Sequence, residues 1–463
     1  MHRLLAFLCL CIYSVTVYAL SSSGNRLLVI QEDASEKASF STFWADLESR
    51  GYQLSFFSPK NEHLSLFHLG NRAFDHLIIL PPKSKGLGPA LAPKAILDFV
   101  NTGGNVLLPL SGASSTSSAI NSLLLELDIH LSPDRSPVLV DHFNYDAISS
   151  AELHDVLLVP RPAKLRSDTK DYFSGDGILA LPKVAGQSLG VESPLLVPIL
   201  RAPPTTYSYD TKDDELAIDG KLPTGSQLSL VSAMQARNSA RVTVLGSVDS
   251  LKDDWFSAEV QTPNKNRKTK NVNREFAQQV TAWTFKERGV IKVGRVEHYL
   301  NEEVNVEARE TNPAIYRIKN DVTFNIELSE YDGDKWTPFE VPENDALQLE
   351  FTMLSPFHRL NLAPISKTSN STIYSASFKL PDQHGIFSFR VNYKRPFLTN
   401  IEEKHEVTVR HFAHDEWPRS WRITGGWVWI AGLWSVIGGF IAFVFIWLYS
   451  APPMQKDLTK KSQ

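Results

Sequence analysis

Two serines and three histidines between residues 111 and 154 have the side chains that a serine hydrolase would need. Gly112-Ala113-Ser114 follows an apolar run and begins like a nucleophile elbow, but Thr116 stands where that motif has its final glycine. The candidate nucleophiles and bases are Ser111, Ser114, His130, His142 and His154. A helix N-cap at Ser111 or Ser114 explains the serines more simply. A serine hydrolase stays open as a weaker alternative.

Two further clusters resemble cofactor and metal sites only in part. Gly86-Leu87-Gly88 matches the start of a dinucleotide fingerprint, but Leu91 stands where the third glycine belongs. Three histidines lie close together near the C-terminus: His405, His411 and His414. Their spacing is not that of a zinc site, because Val409 stands where a metalloprotease has its second histidine. We therefore predict no catalytic, cofactor-binding or metal-binding residue, and no cofactor.

Two short motifs predict covalent modification and sorting. Asn370-Ser371-Thr372 is the only N-x-S/T sequon in the sequence, and its polar neighbours predict a surface loop that could accept a glycan at Asn370. Lys460 and Lys461 stand four and three positions from the C-terminus of the sequence. They resemble the dilysine signal that returns type I membrane proteins to the endoplasmic reticulum, an address that a receptor reads.

Between the sequon and the lysine pair lies an apolar stretch, residues 427–449, that predicts a transmembrane helix. It carries no charge, and twelve of its residues are Leu, Ile, Phe or Val. At 1.5 Å per residue it is about 35 Å long, enough to cross a hydrocarbon core roughly 30 Å thick. Tryptophans and a tyrosine crowd both of its ends, as is typical of interfacial aromatic residues.

Residues 1–19 predict the orientation of this span. A basic start at Arg3, an apolar run to Val17 and a small residue at Ala19 are typical of a cleavable signal peptide. We therefore predict a single-pass type I protein with the bulk of the chain lumenal and residues 450–463 cytosolic. Both cysteines, Cys9 and Cys11, lie in the predicted signal peptide. The mature chain would then fold without disulfides.

Small residues recur along one side of the predicted span. They are Ala431, Ser435, Gly438, Gly439 and Ala442. Small side chains at intervals of four let a second helix approach closely, so this ridge predicts a partner helix in the membrane.

Periodicity divides the predicted lumenal part into three domains. Residues 20–137 alternate strands with helices and predict an α/β doubly wound parallel-sheet domain. Residues 138–289 predict a strand-rich middle domain of mixed α/β character that ends in an amphipathic helix at Asn273–Arg288. Residues 290–415 alternate apolar and polar positions, which predicts a membrane-proximal all-β, sandwich-like domain. The net charge of −4 argues against a nucleic-acid partner.

Several segments, in order, make the chain resemble the family of 48 kDa subunits of the oligosaccharyltransferase complex. They are Glu32-Asp33, Arg50-Gly51-Tyr52, the run Phe74–Ile79 with Pro81-Pro82, Thr102–Val106, the final span and the dilysine pair. The resemblance covers essentially the whole length. The chain departs from the family pattern at Ala34-Ser35-Glu36.

The resemblance implies a complex that transfers a preassembled oligosaccharide from dolichyl diphosphate to Asn of N-x-S/T in nascent chains. In that family a separate multi-spanning subunit with a WWDYG motif is catalytic, and this sequence has no such motif. The implied partners are that catalytic subunit, a ribophorin-type subunit and a small defender-against-cell-death-type subunit. The prediction is a non-catalytic structural subunit in the endoplasmic reticulum membrane. A cycling type I cargo receptor is the alternative.

Overall fold

The computed structural model describes residues 20–84, 86–132, 137–164, 167–190, 193–210, 224–263, 267–301, 310–417, 426–450 and 452. The predicted signal peptide, residues 1–19, and the pair Lys460 and Lys461 lie outside these ranges. The chain divides into two compact units, Met1–Val409 and Arg410–Gln463. The first unit is a mixed, strand-rich body, and the second contains one long apolar helix.

Helices are few in the described ranges. They are α1 (Ser41–Ser49), α2 (Pro93–Asn101), α3 (Ser118–Glu126), α4 (Asp253–Ser257), α5 (Asn273–Thr284) and α6 (Gly426–Tyr449). Short 3₁₀ turns lie at Ala34–Phe40, Pro89–Leu91, Gly225–Gln227 and Asp249–Leu251.

Seventeen strands occupy the described part of the chain before residue 290. They are β1 (Arg26–Ile30), β2 (Gln53–Phe57), β3 (Phe67–His68), β4 (Asn71–Arg72), β5 (His76–Ile79), β6 (Asn105–Pro109), β7 (Ile129–Leu131), β8 (Pro137–Val140), β9 (Val156–Pro160), β10 (Ile178–Pro182), β11 (Gln187–Leu189), β12 (Leu196–Arg201), β13 (Tyr207–Asp210), β14 (Leu228–Gln235), β15 (Arg241–Leu245), β16 (Glu259–Val260) and β17 (Thr269–Lys270).

A nine-stranded sheet forms the centre of this region, in the order β2-β1-β5-β6-β15-β14-β11-β7, with β12 also paired to β14. The pairs from β2 to β15 are parallel, and the remaining pairs are antiparallel. Strands from both sides of the predicted domain border at residue 137 therefore share one sheet. The domain borders themselves stay a prediction.

Helices cover both faces of the parallel half of the sheet. Leu27 and Val29 belong to one buried cluster with side chains of α1 and α5, whereas Leu28 and Ile30 belong to a second cluster with side chains of α2 and α3. Successive residues of a strand point to opposite faces. These strands are consequently apolar along most of their length, as Leu27–Ile30 and the run Leu77–Ile79 show.

The last helix of this region is shorter than predicted. The sequence predicts Asn273–Arg288, but α5 ends at Thr284. Beyond it, Lys286 and Gly289 adopt left-handed backbone conformations with φ of 60° and 69°. A left-handed residue cannot continue a right-handed helix, so the chain turns here toward the next strand.

Ten strands follow in the described residues and form two sheets. They are β18 (Val290–Leu300), β19 (Ile315–Arg317), β20 (Asp321–Asp332), β21 (Lys335–Pro338), β22 (Gln348–Thr352), β23 (Pro356–Asn361), β24 (Ala363–Lys367), β25 (Thr372–Lys379), β26 (Gly385–Tyr393) and β27 (Ile401–Arg410). One sheet has the order β18-β20-β25-β24 with β21 on β20, and the other has the order β19-β27-β26-β22-β23. Rings from the two sheets meet between them, with Phe324 stacked on Phe389 at 5.5 Å. This region is the sandwich.

The loop between β26 and β27 joins the sandwich to the central sheet region. The ring of Phe397 lies 5.6 Å from that of Trp283, and Trp283 Nε1 donates to the Phe397 carbonyl at 2.9 Å. Gln235 Nε2 donates to the Leu398 carbonyl at 2.5 Å, and the Thr399 amide donates to the Gly289 carbonyl at 3.0 Å. Buried aromatic packing and hydrogen bonds thus connect the two regions.

Candidate functional site

The apolar helix α6 presents the ridge of small residues at its surface. At about 100° per residue, Ala431, Ser435, Gly438, Gly439 and Ala442 lie within a stripe roughly 120° wide. Ser435 Oγ donates to the Gly432 carbonyl at 2.8 Å, so its hydroxyl is satisfied inside the helix and needs no partner. Gly432 lies at the edge of the same stripe, and the sequence analysis missed it.

The glycines of this stripe have free space next to them. A Cβ added at Gly432, Gly438 or Gly439 would meet no atom within 4 Å. A helix of this length and composition can cross a membrane. The stripe can therefore receive another helix at close range. Its role as a packing surface stays a prediction.

The sequon lies in the tight turn between β24 and β25. Asn370 is exposed, and its amide and that of Ser371 donate to Thr368 Oγ1 at 3.4 and 3.0 Å. Thr372 is instead fully buried at the start of β25, opposite Leu328, and its hydroxyl has no hydrogen-bond partner in the part of the chain that the structure describes. The acceptor motif includes Thr372, but in the folded chain Asn370 is accessible and Thr372 is not. A glycan at Asn370, if the predicted acceptor is used, would therefore have to be attached before β25 pairs.

Replacing Asn370 with glutamine is expected to remove one glycan without changing stability. Asn370 is exposed, so the free energy of unfolding should stay within about 0.5 kcal/mol of wild type. The measurement is gel mobility with and without a glycosidase, beside the exposed Asn392→Gln as the matched control. If glycosidase does not alter the mobility of the unsubstituted chain, the acceptor prediction is wrong.

The serine hydrolase candidates do not come together. Ser111 Oγ accepts the Ala113 amide at 3.3 Å. The histidines pair elsewhere: His142 and His154 have Nδ1 atoms 2.5 Å apart, and His130 lies 3.2 Å from Asp128. No hydrogen bond joins these histidines to Ser111 or Ser114 in the described residues. This geometry gives the hydrolase alternative no support.

Neither predicted serine caps the helix that follows. Ser117 is the N-cap of α3, and its Oγ accepts the Ile120 amide at 3.3 Å. The prediction of Ser111 or Ser114 was wrong because the chain runs extended through Ser117 before it turns into the helix.

Close packing explains Gly88, one of the two glycines that match the start of a dinucleotide fingerprint. A Cβ at Gly88 would lie 2.5 Å from the Pro59 carbonyl oxygen, and the Gly88 amide donates to the same oxygen at 3.1 Å. Among the described residues no group of three or more His, Cys, Asp or Glu could hold a metal ion.

A cavity of about 450 Å³ opens where the sandwich meets the central sheet region. Its floor is apolar and includes Val197, Ala233 and Phe397, and its cationic side chains are Arg237, Lys394 and Arg395. Gln235 also lines the cavity, and its buried Oε1 has no hydrogen-bond partner among the described residues. The lining comes from four separate segments of the chain, which is why no local sequence pattern indicates the cavity.

Comparison with known proteins identifies the family. Residues 18–287 match the OST48 N-terminal domain, and residues 299–451 match the OST48 middle domain. The chain belongs to the OST48 family.

Relatives match this OST48 chain over nearly its whole length. The dolichyl-diphosphooligosaccharide–protein glycosyltransferase subunit wbp1 of Schizosaccharomyces pombe is 35% identical over 96% of each chain. The 48 kDa subunit of the same-named enzyme from Arabidopsis thaliana is 31% identical over 92% of this chain and 93% of its own. The WBP1 subunit of Saccharomyces cerevisiae is 30% identical over 94% and 93%. The resemblance predicted from the sequence is thereby confirmed.

A solved structure of a ThuA-like protein from Parabacteroides merdae has 11% identity and a TM-score of 0.29, over 57% of this chain and 88% of that one. Such a low score supports no argument about the OST48 fold.

Proposed function

We propose that this OST48 chain is a non-catalytic, structural subunit of the oligosaccharyltransferase complex and acts in N-linked glycosylation in the endoplasmic reticulum membrane. The complex would transfer a preassembled oligosaccharide from dolichyl diphosphate to Asn of N-x-S/T in nascent chains. The observation that carries the proposal is the match to named glycosyltransferase subunits over 92–96% of this chain. The family match to residues 299–451 includes the apolar helix.

The arrangement of acidic residues supports a non-catalytic role. Transfer to an amide nitrogen calls for carboxylates and a metal ion held together. Residues 427–449 contain no acidic side chain, and the described residues bring no three metal-ligating side chains together. The chemistry is then assigned to a separate multi-spanning subunit.

The same proposal extends to topology and sorting. Residues 1–19 would be removed as a signal peptide, the body would face the lumen, and Lys460 and Lys461 would act as a retrieval signal in the cytosol. Helices on both faces of the parallel strands support the doubly wound description of the first domain. The predicted borders are 20–137, 138–289 and 290–415.

The proposed partners meet the chain in the membrane and in the lumen. In the membrane, the ridge around Ser435 and Gly439 would pack against a helix of the catalytic subunit or of the small defender-against-cell-death-type subunit. In the lumen, the body would brace the catalytic subunit beside a ribophorin-type subunit. Open space at the ridge glycines supports the membrane contact.

Changing Ser435 and Gly439 together to leucine should weaken co-purification of the other subunits in mild detergent. Two added side chains would separate the helices, and a loss on the order of 1.4 kcal/mol lowers association about tenfold. The readout is quantitative mass spectrometry of subunits that are recovered with the full-length chain.

Ile437→Leu with Val444→Leu is the matched control, because these residues lie on the opposite side of α6 and leucine keeps them apolar. Equal recovery with both double variants would rule out the ridge as the contact. Purification without any stable membrane complex would favour the cargo-receptor alternative instead.

A further inference from the structure

The two ends of the sandwich differ in what lies next to them. At one end, the loop between β26 and β27 packs Phe397 against Trp283 of the central sheet region. At the other end, Gly385 pairs with Val409, and the Met353 sulfur lies where a Gly385 side chain would begin, 2.7 Å from that Cβ position. The turn 353–355 and the end of β27 therefore lie together, away from the central sheet region.

Large apolar side chains are exposed at this second end. Leu354, in the turn between β22 and β23, is 97% exposed, and Ile386 at the start of β26 is 68% exposed. Ile315 is 59% exposed and adjoins Ala314, whose carbonyl accepts the Thr408 amide at 2.9 Å. Phe357 is 39% exposed. We call Ile315, Leu354, Phe357 and Ile386 the apolar tip.

The outer face of this sheet carries charged side chains along β27 and one exposed apolar side chain at the start of β26. Toward the Phe397 end, the outward positions of β27 are Glu402 and Lys404, and Arg390 of β26 bonds Glu402 at 3.4 Å. Toward the tip the outward positions of β27 are Glu406, Thr408 and Arg410, and Thr408 is the register partner of the exposed Ile386 on β26.

The tip also adjoins the point where the chain leaves for its membrane helix. β27 ends at Arg410, and α6 begins at Gly426, so residues 411–425 connect them. Fifteen residues span at most about 50 Å, which keeps this end of the sandwich within reach of the bilayer surface. The opposite end, already packed on the central sheet region, has no such constraint.

We propose that the apolar tip inserts into the membrane–water interface, with the lipid surface as its occupant. Leucine, isoleucine and phenylalanine side chains are those that bury at the headgroup boundary. A single protruding turn led by Leu354 suits a fluid lipid surface better than a flat protein partner. The proposal depends on α6 spanning a membrane and not on membership of the glycosyltransferase complex, so the two can fail separately.

Site-directed spin labelling of the full-length chain tests this proposal cleanly. The two cysteines, Cys9 and Cys11, are changed to serine, which leaves a cysteine-free background. Leu354→Cys and Ile386→Cys are labelled with a nitroxide in separate preparations, together with any co-purifying subunits, in phosphatidylcholine nanodiscs. The control is Leu69→Cys, a 90% exposed leucine in the turn between β3 and β4.

Relaxation by oxygen, which concentrates in lipid, is compared with relaxation by a water-soluble nickel chelate. The oxygen-to-nickel accessibility ratio is expected to be at least threefold higher at residues 354 and 386 than at residue 69. Equal ratios at all three residues would show a tip in water and overturn the proposal. Protection from both reagents with an immobilised spectrum would show a protein contact and overturn it as well.

Discussion

Replacing Arg241 with methionine is expected to lower the free energy of unfolding of the body by roughly 3–5 kcal/mol. Arg241 is 0% exposed, and its guanidinium donates to the carbonyls of Trp283, Arg288 and Gly289 at 2.6, 2.7 and 2.6 Å. It also lies over the Trp283 ring at 4.7 Å. Methionine preserves much of the apolar stem but removes three hydrogen bonds from a charged donor, each worth about 1.5–3 kcal/mol. The Arg288 carbonyl is then left without a donor among the described residues, whereas the Trp283 and Gly289 carbonyls keep the Lys286 and Thr399 amides.

The three carbonyls explain why a cation is retained at this buried position. They lie at the end of α5 and in the turn that follows it, where the negative end of the helix dipole favours positive charge. Burial lowers the pKa of Arg241 to about 9, so the side chain is still charged at neutral pH. The same residue links β15, α5 and the start of the sandwich. Its loss should therefore weaken the packing among all three elements.

Unfolding of the full-length chain in detergent, followed by tryptophan fluorescence against urea, measures this effect. Arg237→Met is the matched control, since Arg237 is exposed four residues away and should change stability by less than about 0.5 kcal/mol. Equal midpoints for the two variants would refute the role assigned to Arg241.

Acidification from pH 6.5 to pH 4 is expected to destabilise the body by about 3 kcal/mol for each of two buried histidines. Burial lowers the pKa of His76 to about 4, and burial likewise lowers the pKa of His298 to about 4. Between pH 6.5 and pH 4 these two histidines bind protons in the unfolded chain but stay mostly neutral in the folded chain. Stability therefore falls as the pH falls, and it is fully present above pH 6.5.

The contacts of His76 fix it in the neutral form. Its Nε2–H donates to the Gly24 carbonyl at 3.0 Å, and its Nδ1 accepts from Asn105 Nδ2 at 3.2 Å. The rings of Tyr52 and Phe285 pack against it at 5.5 and 4.8 Å. Protonation of Nδ1 would place its N–H against the N–H donor of the Asn105 side chain, so neither could accept from the other.

The slope of unfolding free energy against pH is the measurement. His76→Gln and His298→Gln should each remove about half of the slope between pH 4 and 6.5, whatever they do to stability at pH 7. His63→Gln, at an exposed position, should leave the slope unchanged. A slope that survives in the double variant would contradict this assignment.

Local patterns predicted many elements correctly. The continuous apolar run Asp75–Leu80 predicts a parallel strand buried on both faces, and it contains β5. The helical spacing of apolar residues in Ser39–Arg50, followed by Gly51 as a C-terminal cap, predicts a helix; this is α1, and Gly51 ends it with φ of 87°. These elements were predictable because a strand buried on both faces is apolar throughout and a helix ends at a left-handed glycine.

Pairing across long distances in sequence was not predictable. β15 enters the sheet beside β6, with Val242 opposite Val106, and nothing local specifies that neighbour. Arg241 at the start of β15 looks like a surface residue, since its partners lie more than forty positions away. The cavity lined by Gln235 and Lys394 went unseen for the same reason.

The first residues after the predicted signal peptide are bound to the end of α5. Ser21 Oγ donates to the Phe285 carbonyl at 2.6 Å, and the Ser22 amide donates to the Lys286 carbonyl at 3.1 Å, across 264 residues of sequence. At a synthesis rate of about 5–20 residues per second, the ribosome needs roughly 13–53 s to make that interval. On the proposed lumenal topology, this first segment would thus stay open to chaperones while translation continues, and no disulfide within the mature chain would hold the growing polypeptide in a partly closed state.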